Sequence, residues 1–240
     1  MNLITGIKIH NAKLKHTGFA AFQIIVILSI TAALDGYYLL YSHKSELQRL
    51  RLIYDFIAVF TPVICSISIA WQMRQDEQVS NMFGLLAVKN RMPIIGGPLL
   101  IAWGCIVAQL FVQTLSLSLL IPGVSETETL RILLLLFAGM SVYTLFFCVF
   151  HLFLQLRFGI GISVFWGVFE CMQMIAYSNI KLAGGFRYVP SAWISVWQSA
   201  VFESELVEHW QMFATYLVIL VLMSVSFFIW FGKWEGKNNE

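Results

Sequence analysis

Two carboxylates stand inside stretches that are otherwise apolar. Asp35 lies in TAALDGYYLL and Glu170 in WGVFECMQMI. A charge at bilayer depth costs at least about 2.5–3.5 kcal/mol, so such a group faces a bundle interior or water and marks a candidate pathway. Asp35 falls near the end of its stretch, where water is within reach. Glu170 lies deeper, and Gln173, one helical turn on, shares its face. The ordinary reading of Glu170 is a protonated carboxyl, or one bonded to a neighbouring helix. No second catalytic group accompanies it at a spacing that specifies proton transport or proteolysis. The histidines are scattered, and none pairs with a carboxylate at metal-ligand spacing. The four cysteines, Cys65, Cys105, Cys148 and Cys171, sit in apolar stretches without a C-x-x-C pair, so neither a disulfide framework nor a thiolate metal site is indicated. No phosphate-binding loop occurs, since the run Gly232 to Lys237 has the wrong spacing and no strand before it. H-E-x-x-H and G-x-S-x-G are also missing. No catalytic residue, metal or cofactor of this chain's own is expected.

The elements that position these groups follow from composition. The chain has 240 residues, 59% hydrophobic and 12% charged, against about 45–50% apolar and about 25% charged in soluble domains. Ile94 to Ile121, Ile132 to Leu156 and His209 to Gly232 contain no Asp, Glu, Lys or Arg. A spanning helix needs about 20 apolar residues. The fold class is therefore all-α: a polytopic membrane protein of one transmembrane domain over 1–240. Continuous apolar runs exclude a β-barrel. Six transmembrane helices are expected, at about 17–40, 53–73, 94–120, 130–156, 160–178 and 209–231. Residues 41–52 read as a polar loop, and Ile121-Pro122-Gly123 ends the third span. Arg157 and Gly159 form a tight turn, and glycines 159, 161 and 167 favour close helix approach in the fifth span. The first span is too long for a signal peptide and is read as retained. Residues 1–16 read as an amphipathic helix on the inner leaflet, Leu3, Ile4, Ile7 and Leu14 on one side and Lys8, Lys13 and Lys15 beside them.

Basic residues set the orientation. With the N-terminus inside, the inner segments hold Lys8, Lys13, Lys15, Arg74, Lys89, Arg91, Arg157, Lys233 and Lys237, and the outer ones Lys44, Arg49, Arg51, Arg131, Lys181 and Arg187. Both termini are expected in the cytoplasm of a cell-membrane, multi-pass protein. The longest inner interruption is then Trp71 to Pro93. In it Val79, Met82, Phe83 and Leu86 recur at one helical face, and Arg74, Asp76 and Glu77 make a charged entry. A short amphipathic helix is expected there, either resting on headgroups or docking a soluble partner. On the other side, Trp193 and Trp197 share a helical face after Pro190, as an aromatic belt or as a re-entrant helix meeting an amphiphilic substrate. Glu203, Glu205 and Glu208 follow, as solubilising surface or as a steering cluster for a cationic peptide.

These features resemble the permease subunits of ABC-2 type transporters, and more narrowly the lantibiotic immunity permeases. The resemblance rests on Lys8, Lys13, Lys15 and His16 before the first span, on Asn81-Met82-Phe83-Gly84-Leu85-Leu86 followed by Lys89 to Arg91, and on Trp234-Glu235-Gly236-Lys237 after the last. It covers the whole chain in topology and implies ABC-2 permease architecture with an N-terminal interfacial helix. It further implies an ABC ATPase subunit that carries ATP and Mg, a second related permease, a lipid bilayer environment, an amphiphilic peptide substrate and no nucleic acid. Residue by residue, Val79, Met82, Phe83 and Leu86 would dock on the ATPase, with Arg74, Asp76 and Glu77 at the rim. Asp35, Glu170, Trp193 and Trp197 are the candidate substrate pathway. A membrane immunity protein that sequesters the peptide without transport is the alternative.

Overall fold

Hydropathy alone does not say which helices lie inside the bundle, and burial does. The computed structural model describes residues 3–15, 17–80, 92–121, 127–179, 188–207 and 210–234. Eight α-helices are found among them: α1 Leu3–Leu14, α2 Phe19–Leu40, α3 Glu46–Ser80, α4 Met92–Leu120, α5 Thr127–Phe158, α6 Ile160–Asn179, α7 Trp193–Phe202 and α8 Trp210–Lys233, with a 3₁₀ turn Pro190–Ala192 before α7. Five of them, α2, α3, α4, α5 and α8, are long and apolar enough to cross a membrane. That is the architecture of a polytopic membrane protein. The most apolar stretches of α3 and α5 are 61% buried, whereas those of α2 and α8 are 17% and 22% buried. So α3, α4 and α5 make the core, α6 packs on α3 and α5, and α2 and α8 sit at the periphery.

Local chemistry explains the boundaries. The loop expected over 41–52 is shorter, because α3 already begins at Glu46. Ser45 and Gln48 cap it reciprocally: Gln48 N–H donates to Ser45 Oγ and Ser45 N–H to Gln48 Oε1, each at 3.4 Å. This is the S-x-x-Q form of a capping box. Gly159, at φ 96°, makes the one-residue turn between α5 and α6, a conformation that disfavours side chains with a Cβ. Pro93 lies in the first turn of α4, where the missing N–H costs nothing.

Without water to expel between them, membrane helices associate by close packing and by polar contacts. Gly167 provides the closest approach of α6 to α3. A Cβ there would fall 2.6 Å from Ser66 Oγ and 3.1 Å from the Pro62 carbonyl. Gly161, expected to do the same, has nothing within 4 Å of its Cβ position. Gly167→Ala is therefore expected to destabilise the protein by about 1–3 kcal/mol, the usual cost of overpacking. Gly104→Ala, where a Cβ would meet nothing, should be neutral or slightly stabilising. Thermal unfolding in detergent micelles distinguishes the two.

Candidate functional site

One end of the bundle carries α1, the last turns of α3 and the first turns of α4. The face of α1 that docks is Gly6, His10 and Leu14, four residues apart and buried. A Cβ on Gly6 would lie 1.8 Å from the Pro93 carbonyl oxygen, and one on Gly97 3.0 Å from the Gly6 carbonyl. α1 and α4 therefore touch backbone to backbone. His10 Nε2 and Gln72 Oε1 are 3.0 Å apart, which ties the same helix to α3. The apolar side expected to carry this contact is only partly used. Leu14 is buried, but Ile4 is 63% exposed and points away from the bundle.

α1 thus grips the chain on both sides of 81–91. The independent amphipathic helix expected from Trp71 onward is corrected over its first part. α3 continues as one helix through Arg74, Asp76, Glu77 and Val79 to Ser80, and Arg74 is exposed. Met82, Phe83 and Leu86 lie outside the described residues.

Asp35 does not stand alone. Its carboxylate accepts from Gln113 Nε2 at 3.3 Å and from the Ser116 hydroxyl, both on α4. Further toward the α1 end, Gln23 Nε2 donates to Ser68 Oγ at 2.8 Å and Phe22 stacks on Trp71 at 4.6 Å. These contacts tether the exposed helix α2 to α3 and α4. All donors on Asp35 are neutral, so its charge is solvated by dipoles, with no Lys or Arg within 4 Å among the described residues. That arrangement can receive a cation or hold a helix in place.

The aromatic-belt reading is corrected for Trp193, whereas Trp197 is only partly buried. Trp193 is fully buried, stacked on Tyr216 at 4.6 Å and edge-on to Tyr143. Trp197 packs edge-to-face on Phe213 at 4.7 Å and donates its indole N–H to the Leu135 carbonyl at 3.0 Å. It fills the space left by Gly139, whose Cβ would fall 2.0 Å from the indole. Gln198 donates to the Tyr54 carbonyl at 2.7 Å. α7 is thus a short helix sunk into the end of the bundle opposite α1, between α3, α5 and α8. Two neighbouring tryptophans are as good a signal of a belt as of a buried nest. What separates them is the run of small and aromatic partners on other helices. Of the acidic cluster, Glu203 pairs with Arg51 at 3.1 Å on the surface, and Glu208 lies outside the described residues.

Glu170 has the partner its own helix could not reveal. His151 Nε2 of α5 lies 3.0 Å from Glu170 Oε2, and the two side chains are 0% and 4% exposed. The contact is close but out of line for a full hydrogen bond. Ser163 Oγ lies 3.5 Å from His151 Nδ1 and 3.2 Å from the His151 carbonyl oxygen, to which it donates. Ser, His and Glu stand here in the order of a hydrolase triad. Ser163 nevertheless spends its proton on a backbone carbonyl, and all three groups are sealed from any substrate. Gln173, expected on the same face, turns to Ser191 instead, whose hydroxyl donates to Gln173 Oε1 at 3.2 Å. Cys65 and Cys148 approach to 3.9 Å beside the pair as free thiols.

Two grooves are apolar. One of about 410 Å³ runs between α5 and α8, lined by Phe150, Phe153, Met223, Phe227 and Trp230, and another of about 300 Å³ lies between α2 and α3. They offer dispersion contact to a hydrocarbon and no reacting group. Compared with known proteins, the chain matches no family, no curated protein and no solved structure.

Because Trp193 is buried among aromatic rings, Trp193→Ala should cost about 3 kcal/mol or more, as emptying such a site usually does. A belt tryptophan would cost far less. Denaturant-induced unfolding in mixed micelles measures the difference.

Proposed function

We propose that this chain is the membrane-spanning permease subunit of an ABC-2 type exporter. In this reading α6 is a sixth span, both termini are cytoplasmic and the α1 end faces the cytoplasm of the cell. A separate ATPase supplies the energy, and a second related permease completes the pathway. The exported molecule is a lantibiotic-like amphiphilic peptide, removed from the membrane to give self-protection.

The observation that carries this reading is the grip of α1 on both flanks of 81–91. A segment that transmits force from a soluble motor needs ends that do not fray. Here Gln72 on the α3 side and Pro93 with Gly97 on the α4 side are pinned by one helix. Push on the intervening residues, and α3 and α4 move with α1 as a unit. Lys8 and Lys15 remain exposed on α1, suited to an anionic inner leaflet. On the opposite side, Asp35 presents a carboxylate solvated by neutral dipoles, which suits a cationic group on a peptide. Burial of Trp193 takes its ring out of reach of a substrate in either reading.

Replacing Phe83 and Leu86 together with Asp should abolish co-purification of the ATPase and remove protection against the peptide. The substituted chain itself should still reach the membrane at normal level. Protection that survives deletion of the ATPase would instead favour sequestration. Gly6→Leu should separate α1 from Pro93 and lower ATPase stimulation by peptide at least about fivefold, a typical coupling loss, while ATPase binding persists.

A further inference from the structure

We propose that His151 and Glu170 form an intramembrane proton-binding site whose occupancy controls the α3 helix at Pro62. The proposal goes beyond the export reading and does not require an ATPase, because it concerns contacts within this chain.

The proton count follows from the hydrogen bonds. Ser163 donates its single hydroxyl proton to the His151 carbonyl, so only lone pairs of Oγ face His151 Nδ1. The tautomer that satisfies both groups is the one with its proton on Nδ1. Nε2 faces Glu170 across 3.0 Å. If Nε2 is bare, the Glu170 carboxyl is protonated; if Nε2 is protonated, Glu170 is a carboxylate beside an imidazolium. Both descriptions give the pair one exchangeable proton, held on one residue or the other, and both leave it neutral. Releasing that proton to bulk water leaves a single negative charge in a fully buried site, which apolar surroundings strongly penalise. Loss of that proton is therefore coupled to the packing around the pair.

No cation but the His151 imidazole lies close enough to compensate such a charge among the described residues, and the Trp166 indole on the same helix offsets it only in part. Among the described residues, α3 offers Cys65 and α5 offers Cys148 as free thiols, and α6 adds the Trp166 indole. No lysine or arginine among them pairs with Glu170.

The connection to α3 is one helical turn away. Gly167 precedes Glu170 on α6 and lies against Pro62 and Ser66 of α3. Pro62 interrupts the hydrogen-bond ladder of α3, and a helix bends most easily at such a point. Cys65, on the next turn of α3, lies within electrostatic reach of Glu170. A shift of α6 that relieves a bare charge at Glu170 must move Gly167, and with it the contact that holds the weak point of α3. The lower half of α3 leads to Gln72 and the α1 junction.

The test uses the full chain in lipid nanodiscs. Infrared difference spectra between acid and alkaline buffer should show a protonated-carboxyl band, or an imidazolium band, that titrates with the pair and vanishes in Glu170→Gln. Hydrogen exchange of the amides of residues 63–74, corrected for intrinsic rates, should accelerate by roughly tenfold from neutral to alkaline pH, a usual size of coupling between sites. Glu170→Gln should remove that acceleration, while exchange of the 133–147 amides reports that the variant is folded. A wild-type spectrum with neither a protonated carboxyl nor an imidazolium signal from this pair, or exchange of 63–74 that responds to pH equally in wild type and Glu170→Gln, would overturn the proposal. Should Glu170→Gln unfold, His151→Gln serves the same comparison, with a protonated-carboxyl band expected, titrating at a different pH.

Discussion

α3 meets α6 where neither helix has a side chain to keep them apart. Gly167 lets the α6 backbone come down on Pro62 and Ser66, and in a bilayer such close approach substitutes for the hydrophobic force that holds soluble bundles together. The other internal contacts assume this one. It closes the α3 side of the space in which Glu170 of α6 faces His151 of α5, with Cys65 and Cys148 alongside. A wider α3–α6 distance would open the wall that seals this carboxyl and imidazole from the surroundings, and polar groups are buried at low cost only while they stay paired.

Polar groups placed inside the bundle are handled by pairing across helices. Asp35 is served from α4, Gln23 from α3, Glu170 from α5, and Gln198 reaches the Tyr54 carbonyl. Each is also a strut, since the partner lies on a different helix. This is why α2, whose exposed face is broad, still has a defined position. Its buried stripe of Phe19, Gln23, Thr31 and Tyr38 is narrow and half polar, so orientation there comes from hydrogen bonds more than from apolar contact.

How far the amino-acid sequence alone leads depends on the range of the interaction. The apolar runs and their ends are local, and they were readable: Gly159 as a turn, Pro93 at a helix start, carboxylates inside spans. The early start of α3 was also written locally, in Ser45 and Gln48, where a run of charged residues argued for a loop. The partner of Glu170 was not readable, because His151 belongs to another helix and imidazole–carboxylate pairs have no fixed spacing across a bundle. The same holds for Trp193. Its own helix presents an interfacial aromatic, and only Tyr143 and Tyr216 on α5 and α8 make it interior. At α1, hydrophobicity pointed to Ile4 and Ile7, while contact distance selected Gly6, because a backbone-to-backbone junction needs the smallest residue rather than the greasiest.

The aromatic nest around α7 also has a schedule. Tyr143 and Phe146 of α5 are synthesised first, then Trp193 and Trp197, and only later Phe213 and Tyr216 of α8. α7 has 10 residues, too few to cross a bilayer by itself, so it has no stable resting place until both walls exist. Until α8 leaves the translocon, two tryptophans are left half-housed against α5. The helix that follows α7 in the chain is therefore the one that closes the nest, and a chain cut short before Tyr216 would leave α7 stranded in lipid for quality-control proteases to find.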